Sequence, residues 1–218
     1  ESMRTPEMET KARQYFAAVH GLDIQFGRIY RYLKENGLEE NTLVVLSADH
    51  GEMMGSHARM SKNVWYEEAL HIPLMIRQKG RLIPREVKTL FASPDHMPTV
   101  LELLGLPVPE TCEGYSHAKG ILTGKDENAP EDMFICSYPG EAEMVAAYAK
   151  KGMTHKAYGW RGIKTERYTY VCYNGYGPGE TPHEWLYDSQ TDYYEMSPAE
   201  IAPDCMDARI LGFRKRLR

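Results

Sequence analysis

No stretch of this sequence stays apolar for the roughly 18 residues that a membrane-crossing helix requires, so nothing in it reads as a membrane span. Cysteine is scarce and unpatterned. The four residues Cys112, Cys136, Cys172 and Cys205 include no C-x-x-C pair, which removes the usual signature of a structural zinc site or a dithiol redox centre. An even count alone leaves the redox compartment open. An excess of positive charge is lacking too: 26 Lys and Arg stand against 31 Asp and Glu, for a net charge of −5, which gives no general electrostatic reason to bind nucleic acid. The basic cluster Arg214, Lys215, Arg216 and Arg218 reads as a solvated helix end, because cations suit helix carboxyl termini. Internal repeats and low-complexity tracts are missing, and the sequence opens directly in a helical pattern, with no stretch that reads as a signal peptide. What is present is a hydrophobic fraction of 42% over 218 residues, enough for a substantial core in one large domain or one and a half.

The first element expected is a helix from about Pro6 to Glu35, since Tyr15, Phe16, Val19, Leu22, Phe26, Ile29 and Leu33 recur at helical spacing. Those side chains are expected in the core, with Gly37 as a left-handed stop. Leu43, Val44, Val45 and Leu46 form an unbroken apolar run, as in a strand buried on both faces of a parallel sheet. Ile72 to Ile76 is a second strand. Ser93-Pro94-Asp95 opens a further helix that Gly105 closes, which gives Asp95-His96 a capping role. The polar, breaker-rich segment Thr123 to Pro130 marks a subdomain boundary. Beyond it, alternation at Tyr168, Tyr170 and Cys172, with a short run at Trp185 to Tyr187, predicts a small antiparallel sheet. The intervening loop from Tyr173 to Gly179 is aromatic and glycine-rich. It suits either a wall of a substrate pocket or an ordinary surface loop.

Chemistry concentrates where the apolar strand ends in Asp49, His50 and Gly51. The carboxyl ends of strands in open α/β sheets are where ligands bind. A carboxylate and a neutral imidazole are both donors to a divalent cation, and glycine lets the backbone turn tightly beside them. The competing reading makes Asp49 a turn cap and His50 a satisfied polar residue. Further on come His57, Lys62 and Tyr66-Glu67-Glu68. A lysine near a metal-binding strand end suits a tetrahedral anion such as sulfate or phosphate, whose oxygens need positive charge around them. Trp65 and Tyr66 read as packing residues.

The run SADHGE, then GSH, then Lys62 followed by YEEALHIPLMIR, resembles the stretch that in the sulfatase family reads roughly SDHGE, GDHG, K and YEEALRIPLIIR. The DHG triplet alone is shared across the alkaline-phosphatase-like superfamily; the spaced lysine and the YEEALxIPLxI run narrow the likeness to sulfatases and their close relatives. Tyr15 to Leu46, SPDHMPTVLELLG from Ser93, the RGIKTERY segment from Arg161, and Leu186-Tyr187-Asp188 also resemble family signatures, so most of the chain is covered.

The resemblance implies an α/β fold: the carboxyl-terminal part of an alkaline-phosphatase-like sandwich with a mostly parallel sheet over residues 1–125, then a small α+β subdomain with an antiparallel sheet over 126–218. By position, it makes Asp49 and His50 metal ligands, with calcium the expected ion. Many sulfatases have Asn where His50 stands, and an imidazole admits manganese, iron or zinc. Lys62 becomes the residue that contacts the sulfate oxygens, and His57 lines the pocket or makes a structural hydrogen bond. The family's nucleophile is a formylglycine made from Cys or Ser in a motif close to C/S-x-P-S-R. No cysteine or serine here stands in such a motif. The expectation is therefore the carboxyl-terminal half of a larger sulfatase, inactive in isolation, with the nucleophile in the other half. The expected substrate is a sulfated small molecule or glycan. A phosphonate or phosphate-diester hydrolase of the same superfamily, and a non-catalytic binding module, are the alternatives. A periplasmic or secreted location is compatible with the resemblance, while location and oligomeric state are not legible.

Overall fold

The computed structural model describes residues 5–177 and 179–217. The described residues divide into two compact units. The first comprises residues 5–62, 67–87 and 94–127; the second comprises 63–66, 88–93, 128–177 and 179–217.

The first unit opens with helix α1, Pro6–Glu35. The Thr5 hydroxyl accepts from the Met8 N–H at 3.2 Å, Pro6 occupies the first turn, and Glu7 and Glu9 favour the positive end of the helix dipole. The helix ends in a Schellman arrangement: Gly37 takes φ 67°, the Leu38 amide donates to Leu33 at 2.8 Å and the Gly37 amide to Lys34 at 3.3 Å. Most of the expected core stripe is uncovered. No residue of α1 is buried; Tyr15, Phe16, Val19, Leu22 and Ile29 are exposed, Phe16 and Leu22 at 69% and 70%, while Phe26 and Leu33 are half-buried. Helical spacing shows that these residues share a face; it does not say what covers the face.

Strand β1, Val44–Ser47, pairs with β2, Leu74–Arg77, in antiparallel register from Val44 opposite Arg77 to Ser47 opposite Leu74. This corrects the expected parallel pairing and two-sided burial: β1 has one partner strand among the described residues, Val45 is exposed and its neighbours are half-buried. An apolar run reads the same whether or not its faces are covered within the segment. The end of α1 is tied to β2 through Glu39, a buried carboxylate that accepts from the Tyr30 hydroxyl at 2.6 Å, from Arg77 at 3.3 Å and from Lys79 at 3.2 Å. Arg77 also lies over the Tyr30 ring at 4.7 Å, a cation–π contact. The Tyr30 hydrogen bond and the two cations hold the Glu39 carboxyl below its ordinary pKa, and the same hydrogen bond raises that of Tyr30.

The one-turn helix α2, Glu67–Leu70, follows the site loop. A 3₁₀ turn at Ser93–Asp95 leads into α3, His96–Leu103, closed by Gly105 at φ 71°. The expected capping role of Asp95 is not found, because its side chain makes no cap bond. The carboxylate is buried instead, accepting from the Tyr115 amide at 2.7 Å and lying 3.2 Å from His117 Nε2. A tertiary partner satisfies this carboxylate in place of the local amides. His117 precedes α4, Ala118–Thr123.

The second unit is a five-stranded antiparallel sheet in sequential order. Its strands are β3, Asp132–Ser137; β4, Trp160–Thr165; β5, Tyr168–Tyr173; β6, His183–Asp188; and β7, Ala199–Glu200. The antiparallel sheet expected around Tyr168 and Trp185 is present. Helix α5, Ala142–Lys150, lies between β3 and β4 in the chain, and α6, Ala208–Arg216, follows the sheet. Ile210 and Phe213 of α6 pack on Ile163 and Tyr170, with the Phe213 ring stacked on Tyr170 at 5.3 Å. Trp65 belongs to this unit: its indole N–H donates to the Tyr187 hydroxyl at 2.9 Å and its ring stacks on Trp185 at 5.3 Å. The basic end of α6 is less solvated than expected. Arg214 donates to Glu184 at 2.9 Å and Arg216 pairs with Asp132 at 2.6 Å, while Arg218 lies outside the described residues. Among the described residues, no helix is long and apolar enough to cross a membrane.

Candidate functional site

The loop between β1 and α2 is folded on itself by backbone hydrogen bonds. The Gly51 amide donates to Ala69, that of Met53 to Ser61 and that of Gly55 to Arg59, each at 2.9 Å. The Ser61 amide in turn donates to the Glu52 carboxylate. Met53, 1% exposed, anchors the middle of the loop. Within it Met54, His57, Ala58 and Ser61 all take positive φ, between 46° and 72°. Each such non-glycine residue costs on the order of 1 kcal/mol, and strain of this kind gathers at functional sites, where the surroundings over-determine the geometry.

Gly51 is needed for close approach, not for a tight turn as the sequence suggested. It has no positive φ, and a Cβ there would collide with the Glu68 carbonyl. The strand end and the start of α2 can therefore lie backbone to backbone only with glycine at this position.

Asp49 is exposed. One of its carboxylate oxygens accepts from the His50 amide at 3.0 Å, the local bond a turn cap would make. Its other oxygen lies 3.4 Å from His50 Nε2. His50 Nδ1 sits 2.7 Å from the Gly51 carbonyl, so a proton on Nδ1 would be donated there, leaving the Nε2 lone pair facing the carboxylate. That tautomer is how metal-bound histidines are oriented by their outer partners. Two donors about 3.3 Å apart also match the spacing of adjacent ligands held about 2.3 Å from one ion. The pair thus suits a divalent cation in donor type and spacing, but supplies only two positions. Among the described residues, no group of three or more His, Cys, Asp or Glu side chains could hold a metal ion.

The His57 side chain is 8% exposed, with Nε2 3.9 Å from a Glu68 carboxylate oxygen. Lys62 follows the Ser61 carbonyl that receives the Met53 amide; it is half-buried and meets no carboxylate among the described residues. The loop bonds bring residues 51–53 beside 61 and 69, and the His57 side chain lies near the Glu68 carboxylate. The Glu68 contacts were not legible, because its carbonyl and carboxylate act on residues seventeen and eleven positions earlier in the chain. The Asp95–His117 pair, 22 residues apart, was missed for the same reason. The aromatic loop at Tyr173 to Gly179 is tied down at both ends: the Asn174 amide donates to Gly159 at 2.8 Å and the Tyr176 amide to Glu180 at 3.0 Å. Pro178 of that loop lies outside the described residues.

Comparison with known proteins places this loop in context. The Sulfatase family model matches residues 2–106, and the model described as N-sulphoglucosamine sulphohydrolase, C-terminal, matches residues 55–210. An endo-4-O-sulfatase of Bacteroides thetaiotaomicron is 35% identical over 191 residues, covering 85% of this chain and 36% of that protein. Among solved structures, the Bacteroides fragilis protein yidJ, described as a candidate sulfatase, aligns with a TM-score of 0.75 at 31% identity, covering 94% of this chain and 41% of that one. The phosphonate monoester hydrolase of Agrobacterium radiobacter aligns with a TM-score of 0.76 at 29% identity, over 93% and 39% of the two chains. The chain thus spans about a third of the first of these relatives and two fifths of the others.

Proposed function

We propose, from the premise that this chain belongs to the sulfatase family, that it carries part of a centre that hydrolyses sulfate esters. The observation behind this reading is the strained, hydrogen-bonded loop that holds Asp49 and His50 with two donor atoms 3.4 Å apart and leaves Lys62 without a carboxylate partner among the described residues.

Asp49 and His50 would hold a divalent cation, with calcium the first choice and further ligands contributed from outside this pair. Such an ion acts as a Lewis acid toward a sulfate oxygen. Lys62 would supply an ammonium group to compensate charge on the sulfate oxygens as the alcohol leaves. His57, held in a left-handed turn against Glu68, lines the same loop. The formylglycine nucleophile has no counterpart in this chain, since no Cys or Ser stands in the required motif. The 218 residues alone should therefore turn over no sulfate ester. The substrate proposed is a sulfated glycan or small sulfate ester.

The likeness to a phosphonate monoester hydrolase supports a second reading, hydrolysis of phosphonate or phosphate-diester bonds at the same centre. Paired assays of the complete enzyme on matched sulfate and phosphonate esters separate the two, and faster turnover of the phosphonate overturns the first. Asp49→Asn should lower the metal content of purified protein, read by elemental analysis. Unchanged content would remove Asp49 from the metal.

A further inference from the structure

Residues 144–165 hold five Lys and Arg and no Asp or Glu, a local charge of +5 in a chain of net charge −5. Elsewhere, cations such as Lys79, Arg167 and Arg214 sit within 3.2 Å of carboxylate oxygens. Lys150, Lys151, Lys156 and Arg161 have no such partner among the described residues. The three lysines are exposed and Arg161 is half-buried. The dipole at the carboxyl end of α5 accounts for Lys150 and Lys151. It does not account for Lys156, in the following 3₁₀ turn, or for Arg161 on β4, or for the lack of any acid among them.

The geometry joins these groups. Gly152, at φ 68°, ends the helix, the chain turns through His155–Ala157, and the Arg161 guanidinium donates to the Lys156 carbonyl at 2.6 Å. The turn is braced by the Tyr148 and Tyr158 rings, stacked at 4.9 Å. Beside it the Tyr138 ring, 46% exposed, lies 5.9 Å from the His155 ring. Like charges gathered without counter-ions repel one another, and the repulsion is relieved when an anion binds.

We propose that the α5–β4 connection, with Lys150, Lys151, Lys156 and Arg161 beside Tyr138 and His155, is a binding surface for a sulfated glycan chain. Cations spread along a turn meet sulfates spaced along a polymer, and an exposed tyrosine face offers a stacking surface for a sugar ring. The choice of a glycan among polyanions rests on the sulfate-ester reading above; the charge argument does not.

The test is binding of a sulfated dextran oligosaccharide to the 218-residue chain, beside its desulfated counterpart and a single-stranded oligodeoxynucleotide. The sulfated sugar should bind more tightly than either control. The K150A/K151A/K156A variant should bind about tenfold more weakly, with a shallower dependence on salt, and circular dichroism should show it folded like the parent. Parent-like binding by a folded variant, no binding by the parent at low salt, or equal affinity for the oligodeoxynucleotide would each overturn the proposal. In the complete enzyme the triple variant should leave turnover of a small aryl sulfate unchanged. Selective binding of the sulfated sugar without sulfatase activity would sink the sulfate-ester reading and leave this surface standing.

Discussion

The two units handle apolar surface in opposite ways. The second closes its core on itself: Trp160, Ile163, Tyr170, Val171 and Tyr187 are all at most 3% exposed, with Trp65 and α6 packed on the sheet. The first carries the strained loop, a 30-residue helix with no buried residue and a sheet of two strands. A two-stranded sheet is marginal on its own in water. The difference teaches that the two units are held by different means: the second by a packed core, the first by a loop geometry that backbone hydrogen bonds must hold.

The largest expected effect tests the packed side of that contrast. Trp65→Ala should destabilise the second unit by about 3–5 kcal/mol, since it removes a stacked indole and leaves the Tyr187 hydroxyl without its donor. Burial already holds the Tyr187 hydroxyl above its ordinary pKa. Denaturant unfolding followed by hydrogen exchange should show protection lost first in β5 and β6, and parent-like stability would show that the indole is not part of this core. In the complete enzyme, Lys62→Ala should cut turnover about 10²–10³-fold, the range for removing one oxyanion-stabilising group, with no comparable loss of stability. Near-normal kinetics would take Lys62 out of the centre.

A smaller effect concerns acid stability of the first unit. The Glu39 carboxyl has a folded pKa below its unfolded one, chiefly through the Tyr30 hydroxyl. Its contribution is therefore present above the unfolded carboxyl pKa, about 4.3, and lost as pH falls through the lower folded value. The stability gap between the parent and Glu39→Gln should be widest near neutrality and should close in acid. A gap that does not change with pH would contradict the ion-pair account. The smallest effect sharpens the comparison most: Leu22→Gln on the exposed stripe of α1 should change stability by no more than about 0.5 kcal/mol, and a larger loss would show that something covers this face in the protein.

Local patterns were legible because they act over a few residues. The Pro6 start and the Gly37 stop of α1 are set by local dihedral preferences, and alternation at Tyr168 to Cys172 foretold a strand of the five-stranded sheet. Contacts between distant positions were not. Asp95 carries every local mark of a capping residue, yet His117 and the Tyr115 amide claim its carboxylate. The stripe on α1 carries every mark of a core face, yet five of its seven residues, Tyr15, Phe16, Val19, Leu22 and Ile29, are exposed.

By itself the sequence determined helix α1 and its stop, the runs that form β1 and β5, the DHG strand terminus and the likeness to sulfatases, since each is written in residues near one another in the chain. The tertiary structure alone decided that β1 and β2 run antiparallel, that Gly51 is required by the Glu68 carbonyl, and that His57 faces Glu68. Those outcomes depend on which distant backbone or side chain arrives at a given point, and spacing along a chain does not encode that.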